Sequence, residues 1–161
     1  MATTPRLRAI TIERGSYDDL DAVMAVMDRA FDARYGEAWN RSQCGGILPM
    51  RGVELYLVRP SEDEPVAGFA LWRTLLDESE LLLLGVDPRH QGQGLGKSLL
   101  DCFIDHAKKA GATRLHLEVR DGNPAIRFYE QSGFGLAGRR REYYRGTDGT
   151  RRDALTYVKM I

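Results

Sequence analysis

Residues 81–97 constrain the fold of this chain more than any other part of it. Leu81, Leu82, Leu83 and Leu84 lead through Gly85 and Val86 into Asp87-Pro88-Arg89-His90-Gln91-Gly92-Gln93-Gly94-Leu95-Gly96-Lys97. A short apolar run without polar alternation predicts a strand buried on both faces, and so a place in the middle of a sheet. The turn passes directly into a helix predicted over 95–110, with Leu95, Leu99, Cys102, Phe103, His106 and Ala110 on one side and Gly111 ending it. Strand, glycine turn and helix start together suit an anion. The first helical turn has unpaired N–H groups and a positive dipole end, and glycines let backbone come close to a ligand.

Three phosphate-loop patterns compete for this turn. G-x-G-x-x-G fails, because Gly92 and Gly94 are followed by Lys97. G-x-x-x-x-G-K-[ST] fits Gly96-Lys97-Ser98 but needs its first glycine where Gln91 stands. Q-x-x-G-x-G is met by Gln91, Gly94 and Gly96. On the loop alone, a glycine-rich turn with no ligand stays open beside these.

The surrounding pattern is mixed. Ile10 and Ile12 alternate with polar neighbours as a strand, and Ser16-x-x-Asp19 resembles a capping box before a helix reaching Ala30. A short helix is expected near 40–44. Strands are expected over 53–58 and 66–75, joined as a hairpin by a polar turn, and then over 80–86. Residues 114–120 alternate as a strand. Asn123 and Pro124 start a short helix that Gly133 ends, and two strands, 134–143 and 153–160, close the chain. The fold class is α/β, in the order β-α-α-β-β-β-α-β-α-β-β.

Composition narrows the function. The chain has 161 residues, the size of one domain. Lys plus Arg equals Asp plus Glu at 23 each, which argues against a nucleic-acid partner. Cys44 and Cys102 have no metal-ligand spacing and three scattered histidines join no cluster, so neither a metal nor a disulfide framework is expected. The apolar run at 81–86 is too short to span a bilayer, and the start, Met-Ala-Thr-Thr-Pro-Arg-Leu-Arg, lacks a leader's apolar core. A cytoplasmic protein without a membrane partner is the expectation, as monomer or homodimer.

The loop and the segments after it carry a family resemblance. L-L-L-L-G-V-D-P-R-H-Q-G-Q-G-L-G-K-S-L-L, followed by L-H-L-E-V-R-D-G-N-P-A-I-R-F-Y-E-Q-S-G-F, resembles the GNAT superfamily of N-acetyltransferases. Within it, Leu117-Glu118-Val119-Arg120 and the arginine-rich C-terminal hairpin resemble the RimI type, the ribosomal-protein-alanine N-acetyltransferases. The resemblance implies one acetyltransferase domain over 1–161, with a mixed, mostly antiparallel sheet flanked by helices and acetyl-CoA as cosubstrate. It implies that Gln91, Gly92, Gln93, Gly94, Leu95, Gly96 and Lys97 hold the diphosphate. Backbone groups at Leu84, Gly85 and Val86 would meet the pantetheine arm. It also brings in Asn123, although Asn123 stands six residues before Tyr129 where the family has seven.

The same resemblance makes Glu118 the general base and Tyr129 the general acid. Glutamate has a reference pKa near 4.3 and is a weak base, so a partly buried site or a bridging water is required. A phenol near 10 stays protonated at neutral pH and can protonate a leaving thiolate. Without the resemblance, Glu118 would sit on a solvated strand face and Tyr129 in the core. A protein α-amine, with a pKa near 8, is about 10% neutral at pH 7, and a lysine is below about 0.1%, which favours an N-terminal acceptor such as a ribosomal protein's alanine. A small amine (a polyamine or aminoglycoside) and a non-catalytic acyl-CoA sensor are the alternatives. Arg139, Arg140, Arg141, Arg145, Arg151 and Arg152 form either an acceptor contact or a solvated loop. For Tyr35 and Trp39, core packing is expected over an acceptor groove.

Overall fold

The local signals set where the elements start. The Ser16 hydroxyl accepts from Asp18 N at 3.3 Å while the Asp19 carboxylate accepts from Ser16 N at 2.8 Å, so the expected capping box is made. It caps a single 3-10 turn, Tyr17–Asp19, from which helix α1 (Leu20–Ala30) continues. Asn40 and Gln43 cap helix α2 (Arg41–Ile47) reciprocally, both bonds 2.8 Å. Despite Gly45 and Gly46, α2 runs past the expected end at 44, because Ile47 and Leu48 pack into the core behind it.

The structure is a computed structural model that describes residues 9–161. The segment 1–8, read above for a leader, lies outside the described residues. Strand β1 (Thr11–Arg14) precedes α1; after α2 come β2 (Val53–Arg59), β3 (Gly68–Leu75), β4 (Glu78–Val86), helix α3 (Leu95–Lys109), β5 (Arg114–Arg120), α4 (Ala125–Gln131), β6 (Gly135–Arg145) and β7 (Arg151–Met160). They follow the expected order. One seven-stranded sheet runs β1-β2-β3-β4-β5-β7-β6, antiparallel except where β4 and β5 lie parallel.

Two cores cover the two faces. Helix α3 packs through Leu95, Leu99, Leu100 and Phe103 against Val58, Trp72 and Leu117. Helix α1 packs through Leu20, Val23 and Met27 against Leu57, Phe69 and Leu83. Each fully buried leucine adds about 1.5–3 kcal/mol relative to exposure. The leucine run serves both cores, as expected of a central strand, and a bulge decides which leucine joins which. Leu71 pairs with Leu83 and Trp72 with Leu81, so Leu82 is an extra residue in β4. That extra residue puts Leu81 in the α3 core and Leu83 in the α1 core. Both cysteines are free thiols, and no helix among the described residues is long and apolar enough to cross a membrane.

Candidate active site

The Leu82 bulge also opens the sheet. Strands β4 and β5 pair only from Glu78 with Arg114 to Leu81 with Leu117, yet β4 continues to Val86 and β5 to Arg120. Beyond the last pair the strands part, and the β5 side of β4 has no strand partner. Its backbone groups are left to a ligand. The resulting cleft, about 740 Å³, is lined by residues 81–86 of β4, residues 117–120 of β5, the glycine turn, Tyr35, Glu37, Asn123, Tyr129 and Tyr144. The ordinary ladder pairing that would have occupied Leu84, Gly85 and Val86 is therefore absent on this side.

At one end of the cleft lies the glycine turn. Pro88–His90 forms a 3-10 turn capped by Asp87, whose carboxylate accepts from Arg89 N at 3.0 Å. Asp87 is buried. The Arg89 guanidinium, the Arg89 N–H and Arg29 hold its carboxyl well below the usual carboxylate range. Gly92 and Gly94 take φ values of +79 and +83, in the left-handed region that costs other residues about 1–2 kcal/mol. Gly94 starts α3 with no side-chain cap, so the first N–H groups of this helix stay available to an anion. Gln91, Gly92, Gly94, Leu95, Gly96 and Lys97 line the cleft. Gln93 does not: it is exposed between the two left-handed glycines, outside the lining. The Leu95 side chain belongs to the α3 core, and Lys97 pairs with Asp101 at 2.8 Å.

On the β5 side, Glu118 is largely buried rather than solvated, its side chain 12% exposed. The Thr156 hydroxyl donates to its carboxylate at 2.9 Å, and Arg140 Nε lies 3.3 Å away. Tyr129 is buried on α4, its ring edge-on to Phe134. Burial, and next the charge of Glu37, raise its pKa above the ordinary phenol value. Its ring packs in the core and its residue lines the cleft. Tyr144 reaches the same place, its hydroxyl donating to Glu118 O at 3.3 Å, and burial likewise raises its pKa. A second bulge aims it there. Arg140 pairs with Ala154 and Tyr144 with Arg152, leaving three residues of β6 against Asp153 alone. Glu142 takes φ +52, and its N–H donates to Asp153 at 2.9 Å.

A splayed parallel pair, an uncapped helix start, a carboxylate and two phenols thus share one cleft. A profile of the Acetyltransferase (GNAT) family matches residues 20–134. The chain belongs to the GNAT family. It is an N-acetyltransferase. It is 39% identical over 147 residues to the ribosomal protein bS18-alanine N-acetyltransferase of Escherichia coli K12, a match covering 90% of this chain and 93% of that one. The crystal structure of the ribosomal-protein-S18-alanine N-acetyltransferase from Escherichia coli superposes with a TM-score of 0.83 at 34% identity, covering 95% of this chain and 94% of that one. Arabidopsis thaliana NAA60 in complex with acetyl-CoA, 18% identical, shares the fold with a TM-score of 0.80 over 95% of this chain and 99% of that one.

In this GNAT domain the fold brings Glu118, Tyr129, Asn123, the β4 end and the loop to one cleft and leaves Gln93 outside it. Asn123 spends its side chain internally: Oδ1 accepts from Ala125 N and Nδ2 donates to Glu37, both at 2.8 Å. Tyr35 lines the cleft, against the expectation of core packing, because Arg34, Arg120 and Arg152 hold its ring there. Trp39 does pack on the α1 core. The arginines divide. Arg140 reaches Glu118, Arg139 pairs with Asp121 and Asp153, and Arg152 pairs with Asp148. The sequence reading missed Glu37, Arg120, Tyr144 and Thr156. Only Thr156 had a usable signal, since pairing the last strand with β5 sets it opposite Glu118.

Proposed function

We propose that this N-acetyltransferase moves the acetyl group of acetyl-CoA onto the α-amine of a protein N-terminus, with the alanine end of ribosomal protein bS18 as the acceptor. The observation that carries the reading is the placement of Glu118, Tyr129 and Tyr144 in the gap between β4 and β5, with the uncapped start of α3 at its end. The relative acting on bS18 alanine, matched over nearly the whole chain, supports the acceptor.

The residues fit the cosubstrate. The N–H groups at Gly94, Gly96 and Lys97 would hold the diphosphate, and the open edge of β4 at Leu84, Gly85 and Val86 would lie along the pantetheine arm and polarise the thioester carbonyl. Acetyl-CoA supplies an activated acyl group. Glu118 takes the proton of the attacking amine as the new C–N bond forms. Tyr129 gives its proton to the sulfur as the C–S bond breaks. Its raised pKa keeps it protonated until then.

The acidic residues of the cleft bear on the acceptor. Glu37 faces Arg120 and Glu118 faces Arg140, so neither carboxylate is left as bare negative charge for a polyamine. Mass spectrometry of acetyl transfer tests this, using a peptide that begins with the bS18 alanine, the same peptide blocked at its N-terminus with an internal lysine, and spermidine. One acetyl group only on the free alanine end is expected. Transfer to spermidine or to the blocked peptide instead would replace the acceptor reading, and acetyl-CoA binding without any transfer would favour a sensor.

A further inference from the structure

The segment between α1 and α2 forms one wall of the cleft and is fastened to the rest of the site as a strap. Asp32 Oδ1 accepts from Arg34 N at 3.0 Å and opens a 3-10 turn, Ala33–Tyr35, that ends at Gly36 with φ +70. The strap's backbone docks on the β6–β7 hairpin. Arg152 Nη1 donates to Arg34 O at 2.8 Å and Thr147 N to Ala33 O at 3.3 Å. A Cβ on Gly36 would stand 2.1 Å from Arg145 O, so no other residue fits this approach.

Past Gly36 the chain delivers Glu37, its side chain 11% exposed, to the end of β5 and the start of α4. Glu37 Oε1 accepts from Asn123 Nδ2 at 2.8 Å, and Oε2 lies 3.4 Å from Arg120 Nε. The Arg120 guanidinium stacks 3.7 Å from the centre of the Tyr35 ring. Asn123 passes the contact on, because its Oδ1 accepts from Ala125 N, the first residue of α4. Tyr129 follows one turn later on the same helix face. A buried ion pair of this kind adds little net stability, since desolvation offsets its attraction. What it does fix is geometry.

We propose that Glu37 is a positioning residue for Tyr129: through Asn123 it sets the start of α4, and through Arg120 and Tyr35 it locks the strap against the end of β5. This rests on the assignment of Tyr129 as the acid. The charge of Glu37 also helps keep the Tyr129 phenol protonated.

The hydrogen-bond directions allow a swap test. In Glu37→Gln the amide nitrogen must face either Asn123 Nδ2, donor against donor, or the Arg120 guanidinium, which then loses its countercharge. In Asn123→Asp, carboxylate faces carboxylate. The double variant Glu37→Gln/Asn123→Asp reverses the bond: the new amide donates to the new carboxylate, whose other oxygen keeps Ala125 N, and the amide oxygen faces Arg120. Each single variant is expected to lower kcat about tenfold or more, with KM for acetyl-CoA within about twofold. The double is expected to return to within about threefold of wild type, and Glu37→Gln on a Tyr129→Phe background to cost less than about twofold more. A double variant as slow as the product of the singles would overturn the positioning role, and so would a tenfold loss that persists without the phenol. Tyr129→Phe turning over like wild type would overturn the acid assignment itself and this inference with it.

Discussion

Glu118 and Thr156 stand directly opposite each other on β5 and β7, and the Thr156 hydroxyl donates across the pair to the Glu118 carboxylate, 2.9 Å from one oxygen and 3.1 Å from the other. That bond, with Arg140 on the same carboxylate, leaves the side chain one orientation in the cleft. Glu118→Gln keeps the shape and removes the proposed base, so kcat should fall by about 10²-fold or more. Thr156→Val should cost a smaller loss, about three- to tenfold, that Thr156→Ser restores. Equal kcat for Thr156→Val and wild type in a chemistry-limited assay would show that the hydroxyl does not orient the base.

Tyr129→Phe removes one hydroxyl from a ring already packed against Phe128 and Phe134. Folding should therefore be retained while kcat drops by about 10²-fold or more, with acetyl-CoA still bound. Single-turnover transfer followed by mass spectrometry reads the chemical step directly. Transfer at the wild-type rate would remove Tyr129 from the acid role.

Gly94→Ala tests the loop. Its added Cβ would meet only Ile10, at 3.9 Å, so the penalty comes from the left-handed backbone rather than from crowding. A loss of about 1–2 kcal/mol in denaturant unfolding is expected, together with a raised KM for acetyl-CoA and a smaller change in kcat. An unchanged KM would mean that the start of α3 does not hold the cosubstrate.

Asp87 predicts a dependence of stability on acid. The folded state, held by the Arg89 guanidinium and N–H and by Arg29, keeps its carboxyl ionised far below the usual range, whereas the unfolded chain takes up a proton near pH 4. The stability from Asp87 is whole above about pH 5 and is lost progressively as pH falls towards the folded-state value. Urea midpoints of wild type and Asp87→Asn should differ most near neutrality and converge from about pH 5 to pH 2. A constant gap across that range would show that the carboxylate's charge is not what stabilises the turn.

What the sequence determined by itself is local. The leucine run, the glycines and the alternation of β5 set a strand, a turn and the faces of residues such as Glu118, because backbone preference and side-chain period act over a few neighbours. Asn40 and Ser16 start their helices for the same reason. The family resemblance, resting on the loop and the segment that follows it, suggested the roles proposed for Glu118 and Tyr129. The cleft itself came from elsewhere. Leu82 is one more leucine in the run until its pairing with β3 makes it the extra residue that parts β4 from β5. Tyr144 looks like any tyrosine of an arginine-rich hairpin until a bulge held by Asp153 aims it at Glu118. Glu37 meets Asn123 across 86 positions of chain. Strand register and contacts between distant segments decided these, and a run of residues read along its own length carries neither, because both depend on where the partner strand comes to rest.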